Sequence, residues 1–215
     1  MRPAEAAADA PGVTALDALA EALLAGAGLD VRAAAGRLER EAVFRLRHQQ
    51  VVDAGWVDAS ELPDGLERDA HDEGALHACA WNGETLVGTM RLVLPRPGRL
   101  LPVEEAFGLR VEPAGAVAEA GRLVIAPIER GDPGHRIWGA LYALAWREMR
   151  PHGLTVLAGA VPPRLLEQMR TVGLPFETLG PAQTHWGQPR HPVRLDPARG
   201  MPGWFSPDQR RARSP

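Results

Sequence analysis

Residues 76–94 read LHACAWNGETLVGTMRLVL, two apolar runs hinged on one Asn-Gly pair. Asn82-Gly83 between such runs predicts a β-hairpin with a two-residue type I′ turn, whose central residues both need positive φ. The strands are predicted at 76–81 and 84–94. In the second, Leu86, Gly88, Met90, Leu92 and Leu94 share one face; Val87, Thr89, Arg91 and Val93 share the other. Both faces are largely apolar, which places this strand inside a sheet covered on both sides. Arg91 on such a strand needs an anionic partner, because burying a bare charge is expensive. Two readings of it stand side by side: a structural ion pair with a loop acid such as Asp69 or Asp72, or a substrate contact.

Working outward, a short strand is predicted at 29–35, broken by Gly36, and a helix at 37–52 with Leu38, Ala42, Val43 and Leu46 in a stripe. Residues 53–74 read as a long ordered loop and 95–117 as an irregular Pro/Gly-rich connection. A strand at 118–126 follows, then a helix through Ile137, Leu141, Leu144, Ala145 and Met149, with Arg136, Arg147 and Arg150 on a solvated face. The remainder reads as a strand at 155–157, a helix at 163–172, a strand at 176–179, and a last one at 184–186 or 192–195. This order fits an α/β (α+β) mixed sheet with helices packed on it.

The chain has 215 residues, 45% hydrophobic and 24% charged, with net charge -3. That suits one domain and argues against a general nucleic-acid binder. Residues 1–12 read as a loose tail without the apolar core of a signal peptide. The apolar stretch after them is interrupted by Asp17 and Glu21 and is too short to span a bilayer. It reads as an amphipathic helix ending at Gly26 and Gly28, so no membrane span and a cytoplasmic location are expected. There is no lysine among the 24 cationic side chains, which removes Schiff-base chemistry. Cys79 is the one cysteine, so neither an internal disulfide nor a multi-cysteine zinc site is possible within these residues. Signatures of serine hydrolases, P-loops and dinucleotide folds are missing.

Five features carry possible chemistry. Arg47 borders the apolar face of its helix and is read either as a snorkelling arginine or as a ligand contact. Glu67, Asp69 and Asp72 lie in a loop where they are hydrated, raise one another's pKa, or bind a cation; their spacing fits no metal loop, and no metal is expected. Arg91 is the third. Glu119 and Arg122 would face opposite ways on a regular strand unless Gly121 marks a bulge. The loop 129–136 runs with its glycines into a helix N-terminus that would accept an anion. Cys79 and His77 read as structural, and Trp56 as a residue able to line a pocket.

Taken in order, these features resemble the acyl-homoserine lactone synthases and the N-acyl amino acid synthases of the GNAT acyltransferase superfamily. The resemblance runs from about Leu29 to about Leu179. It is carried by Val43-Phe44-Arg-Leu-Arg47, Trp56, Glu67-x-Asp69-x-x-Asp72, Gly88-x-x-Arg91-Leu92, Glu119-x-x-Arg122-Leu-Val, and Gly153-Leu through Gly173-Leu-Pro-Phe. It implies a GNAT-like, largely antiparallel central sheet flanked by helices, with a splayed strand pair for an acyl-pantetheine arm. The implied division is a tail and extra helix at 1–28, the acyltransferase domain at 29–197, and a mobile tail at 198–215.

The same resemblance implies acyl transfer to an amine without a covalent enzyme intermediate. Glu119 would be the base through a water, with Asp69 and Asp72 holding the amine pocket and helping to deprotonate. Arg47, Trp56, Arg91 and Arg122 would bind the amine substrate, Arg47 or Arg91 taking its carboxylate. Leu123, Val124 and Ile125, with Arg130, Gly134 and Arg136, would bind the donor. The arginine-to-tryptophan spacing is one residue shorter than autoinducer synthases show. Residues 130–135 also depart from the Q/R-x-x-G-x-G/A pyrophosphate loop of coenzyme-A-dependent relatives. No tightly bound cofactor is implied; acyl carrier protein or acyl-CoA serves as co-substrate. Arg130, Arg136, Arg147 and Arg150 are either a docking patch for the carrier protein or solvated side chains. The acceptor would be an amino acid or a small-molecule or peptide amine. The rivals are a homoserine-lactone synthase using S-adenosylmethionine, an ordinary acetyl-CoA acetyltransferase, and a non-catalytic acyl- or carrier-protein-binding module.

Overall fold

The computed structural model describes residues 10–127, 132–171, 173–174 and 176–199. The elements run α1 (Pro11–Ala25), β1 (Asp30–Ala33), α2 (Gly36–Asp53), β2 (Leu76–Asn82), β3 (Thr85–Val93), α3 (Pro102–Phe107), β4 (Val117–Ile125), α4 (Asp132–Met149), β5 (Val156–Val161), α5 (Pro163–Thr171), β6 (Phe176–Thr178), β7 (Gln183–His185) and β8 (Gln188–Leu195). One sheet takes the order β1-β2-β3-β4-β5-β8-β6, with β7 paired to β8. Every pairing is antiparallel except β4 with β5. This is the mixed, mainly antiparallel sheet that the resemblance implied.

The exception shapes the molecule. β4 and β5 pair only at Val117–Val156, Ala118–Leu157 and Glu119–Ala158. Beyond them β4 continues to Ile125 and β5 to Val161 without pairing to each other. At the fork the backbones still crowd: a Cβ on Gly159 would stand 2.7 Å from the Ala120 carbonyl oxygen, so only glycine fits. The two strands therefore diverge from the fork as a V.

The buried stripe of α4 is the predicted one, with Ile137, Leu141, Leu144, Ala145 and Met149 all inaccessible against the sheet. Helix α1 packs on α4 through Val13, Leu16 and Ala20. Asp17, which interrupts its apolar run, accepts hydrogen bonds from Trp146 Nε1 (2.7 Å) and Arg150 Nε (3.0 Å). A second, smaller core of Leu101, Val103, Phe107, Val111, Val117 and Val156 lies under α3.

Three expectations need correcting. The 82–85 turn has Gly83 and Glu84 as its central pair, with Asn82 facing Thr85, and only Gly83 has positive φ. That is the pattern of type II′, not I′. The connection at 95–117 holds a helix, α3: Pro102 occupies a first-turn position, Glu104 accepts from Leu101 N at 2.8 Å, and Gly108 closes the helix at φ 63°. The strand expected at 155–157 runs on to Val161, and both alternatives for the last strand are real. The expected tails at 1–12 and 198–215 fall mostly outside the described residues; helix α1 already begins at Pro11.

Candidate active site

The acidic loop and three arginines form one buried network. Arg47 projects from α2 beside Val43 and Val51 and is 1% exposed. Its Nε donates to Glu67, and its Nη1 and Nη2 donate to the two oxygens of Asp72 at 2.7 and 3.2 Å. Arg91 Nη1 lies 2.6 Å from Asp69 Oδ1 and 3.2 Å from Asp72 Oδ2. Arg122 donates to Glu67 Oε1 (3.2 Å) and Asp69 Oδ2 (2.9 Å). Three positive charges meet three negative ones, each multiply bonded, which is the condition for keeping charges out of water. The loop spacing follows from the same contacts: Asp69 N donates to Asp72, and His71 N to Asp69, at 2.8 Å each, winding 70–72 into one 3-10 turn. Neither a snorkelling Arg47 nor hydrated loop acids survive this geometry. Of the two readings of Arg91, the ion pair with Asp69 and Asp72 is present.

Burial alone would raise these carboxyls, but the guanidiniums outweigh it. Asp72 is held down at about 2 by Arg47 and Arg91, and Asp69 is lowered by Arg91 and Arg122. A carboxylate held so low and bonded at both oxygens accepts a proton poorly.

Glu119 differs. It is buried near the fork of the V, where Val103 N donates to its Oε2 at 2.7 Å. Desolvation outweighs that bond and the more distant Arg91 and Arg122, and pushes its carboxyl up to about 7. Arg122 reaches the same side of β4 because the strand bulges: Thr89 faces Val124 and Arg91 faces Gly121, leaving Arg122 and Leu123 opposite Met90. The bulge sits at Arg122 itself (φ 52°), one residue past the expected Gly121. A left-handed arginine costs about 1–2 kcal/mol, and two carboxylates hold it there.

Glu119 and Arg122 line a cavity of about 200 Å³ inside the V, with Leu123 and Val124 on the β4 side and Ala160 and Val161 on the β5 side. Its far wall is the β7–β8 hairpin, closed by Trp186-Gly187. Both residues have positive φ (52° and 68°), so the type I′ pattern lies here, with a tryptophan in a strained position. Trp186 lies under the Arg122 guanidinium, 4.0 Å from its ring centre. A Cβ on Gly187 would come within 2.3 Å of Trp56, which joins the same wall. His185 and Arg190 complete it, and Tyr142 closes the floor. Burial and the charges of Arg122 and Arg190 push His185 down to about 4, so it is neutral.

Two further hollows adjoin this cavity. An open groove of about 750 Å³ runs between the end of β4 and the starts of α4 and α5, lined by Ile125, Gly134, His135, Arg164 and Leu165. Leu165 belongs to both groove and cavity. Behind them an apolar chamber of about 400 Å³ lies under α1, walled by Leu16, Leu19 and Leu23, by Trp138, Tyr142 and Trp146 of α4, and by Phe176 and Leu195. It shares Trp138 and Met169 with the groove and Tyr142 with the cavity.

A family model for the N-acyl amino acid synthase FeeM matches residues 42–195, about seven-tenths of the chain. The chain belongs to the FeeM family of N-acyl amino acid synthases. Its fold is that of LasI, an acyl-homoserine lactone (AHL) synthase, at TM-score 0.63 and 18% identity over 84% of this chain and 95% of that one. BjaI, a CoA-dependent acyl-homoserine lactone synthase solved with SAM and isopentyl-CoA, gives 0.62 and 22%, covering 78% and 82%. FeeM itself, from uncultured soil microbes, gives 0.58 and 19%, covering 78% and 90%. At these identities the structures establish the fold alone. No curated protein matches the chain. The protein is an acyltransferase of the FeeM type.

Within this FeeM-family framework the candidate residues separate into three places. Arg47, Arg91, Asp69 and Asp72 form the network; Trp56, Glu119, Arg122, Leu123 and Val124 line the cavity; Ile125 and Gly134 line the groove. Arg47 and Glu67 also touch the cavity's edge. Arg136 is exposed near the groove, and Arg130 lies outside the described residues. Arg150 is fourteen residues from Arg136, about 21 Å along a helix, and is engaged by Asp17. Among the described residues no group of His, Cys, Asp or Glu side chains is arranged to hold a metal, and no helix is long and apolar enough to cross a membrane. Sequence reasoning passed over Tyr142, His185, Trp186 and Arg190. The one available signal was Trp186-Gly187 between two extended runs, which is a hairpin cue only if a tryptophan is allowed positive φ.

Proposed function

We propose that this enzyme moves a fatty acyl group from a pantetheine thioester, on acyl carrier protein or coenzyme A, to the amine of an amino acid. The observation that carries the reading is Glu119, a buried carboxyl brought near neutrality at the fork of two diverging strands. The unpaired edge of β4 past the fork, Leu123 to Ile125, offers backbone groups to the pantetheine amides, and a backbone N–H there would meet the thioester oxygen as charge develops on it. Glu119, through a water, takes the amine proton. The amine nitrogen then bonds to the thioester carbon, the carbon–sulfur bond breaks, and the sulfur leaves as the thiol after receiving a proton. Asp69, Asp72 and Glu67 act by fixing Arg47, Arg91 and Arg122 rather than as bases.

The apolar chamber supports a long acyl chain. A dry cavity of ~150 Å³ holds a benzene, so about 400 Å³ has room for roughly a dozen carbons. Helix α1, which precedes the family-matched stretch, supplies one wall, and we assign residues 11–25 to the working enzyme. The test is thiol release from dodecanoyl-carrier protein and dodecanoyl-CoA with a panel of amino acids, with the product identified by mass. The reading expects an N-dodecanoyl amino acid and a loss of at least 100-fold in kcat/KM for Glu119→Ala; near-normal kcat/KM in that variant would remove Glu119. A second reading, homoserine-lactone synthesis from S-adenosylmethionine, has the fold of LasI and BjaI in its favour. A lactone product in the same assay would establish it.

A further inference from the structure

Three arginines reach the cavity in the V, and two of them have their charge answered. Arg47 donates from Nε, Nη1 and Nη2 to Glu67 and Asp72, and Arg122 bonds to Glu67 and Asp69; Arg91, which does not line the cavity, turns Nη1 to Asp69 and Asp72 and keeps a buried Nε without a partner. The third, Arg190 on β8, has no carboxylate partner among the described residues. Its Nε donates to the His185 carbonyl at 3.0 Å, which ties the guanidinium across the hairpin, and its plane lies 5.4 Å from the centre of the Trp56 ring. It is half-buried and faces the same cavity as Arg122. The field at this end is positive: burial and Arg122 lower Arg190, and the two arginines help to keep His185 uncharged. Two like charges beside a partly desolvated cavity repel, and an anion placed between them relieves that repulsion.

We infer that Arg190 is the carboxylate anchor of the acceptor site, so that the cavity selects an amine bearing a free carboxylate, a single α-amino acid. Three observations converge on this ligand. The planar guanidinium keeps Nη1 and Nη2 for a bidentate grip on a carboxylate and is already oriented by His185 and Trp56. The arginines first expected to read the carboxylate, Arg47 and Arg91, are 1% and 2% exposed and already paired with Glu67, Asp69 and Asp72. A cavity of about 200 Å³ is smaller than the ~300–1,000 Å³ pockets that take drug-sized ligands, which suits one amino acid. With the carboxylate at Arg190, the amine is left on the side of Glu119.

The inference rests on the acyltransferase reading of the cavity, and two measurements separate them. Thiol release from a dodecanoyl thioester is followed with α-amino acids and with their carboxamides, in the native enzyme, Arg190→Gln and Arg190→Lys. The native enzyme is expected to favour the acid over the amide at least tenfold in kcat/KM. Arg190→Gln should raise KM for the acid at least tenfold with kcat little changed and bring the acid-to-amide ratio near one; Arg190→Lys should keep part of the preference. A ratio unchanged in Arg190→Gln, or a native enzyme that takes amides as readily as acids, overturns the inference. Thermal stabilisation by N-dodecanoylglycine against N-dodecanoylglycinamide reads the anchor without turnover. Stabilisation by the acid alone, lost in Arg190→Gln, supports the anchor even if no amine is acylated, an outcome that would sink the acyltransferase reading instead. Equal stabilisation by both ligands overturns the anchor.

Discussion

The network around Arg47 and the cavity wall around Arg190 use the same side chain in opposite ways. In the network every charge is matched, and Asp72 accepts from Arg47 at both oxygens. At the cavity, Glu119 has one backbone donor and a raised pKa, and Arg190 has no carboxylate at all among the described residues. A matched buried cluster fixes geometry; the unmatched one beside it is where we place the chemistry. The difference teaches that the rigid half exists to hold the poised half, since Arg122 belongs to both.

The largest way to break this comparison is to remove a network charge. Arg47→Ala strands Glu67 and Asp72 in the interior and should cost about 3–5 kcal/mol, read from urea unfolding. Arg190→Ala should cost less than half of that. Equal losses would mean that the two regions are not different in kind.

The next effect is in pH, where the two regions have opposite signs. Asp69 and Asp72 are lowered in the folded state, so their contribution is present above about pH 3.8 and is lost as pH falls. Glu119 is raised from 4.5 to about 7, so the native state holds its proton longer than the unfolded chain does. Its stability contribution is intact below pH 4.5 and is lost as pH rises through 7, on the order of 3 kcal/mol in all. Glu119→Gln should therefore become more stable than the native protein above pH 7 and match it near pH 4; a difference that does not change with pH contradicts the buried, poised carboxyl.

Filling the apolar chamber sharpens the comparison at lower cost. Leu19→Trp should reduce kcat/KM for a dodecanoyl donor about tenfold, roughly 1.4 kcal/mol, and leave a butanoyl donor within about twofold. Equal loss with both donors would place the acyl tail elsewhere. The smallest effect is expected at Cys79, outside both regions. Burial pushes its thiol up to about 12, so Cys79→Ala should stay within about twofold in activity and the folded protein should resist iodoacetamide.

Much of the scaffold was legible in the sequence because periodicity reports burial directly. The α4 stripe and the β2–β3 hairpin follow from spacing, and Arg91 between two apolar faces demanded the acidic partner that it has. The candidate site was half legible. Arg47 looked amphipathic because one helix cannot show that a loop twenty residues on returns to meet its charge. Helix α3 was hidden in a Pro/Gly-rich stretch because its cap comes from Glu104 inside the helix and its anchor from Glu119 on a distant strand. The hairpin wall was missed for a conformational reason: Trp186 at φ 52° is a choice that local propensity argues against and tertiary stacking on Arg122 supports.

The central claim is that Glu119 is the group that takes the proton. The most direct measurement is the pH dependence of kcat/KM for acyl transfer in the native enzyme and in Glu119→Gln. A rising limb near pH 7 is expected in the native enzyme, in addition to the limb that belongs to the amine itself. In Glu119→Gln the limb near pH 7 should be gone and kcat/KM should be ~10²–10⁴-fold lower, the range of general-base catalysis. A variant that keeps that limb and near-native kcat/KM would contradict it.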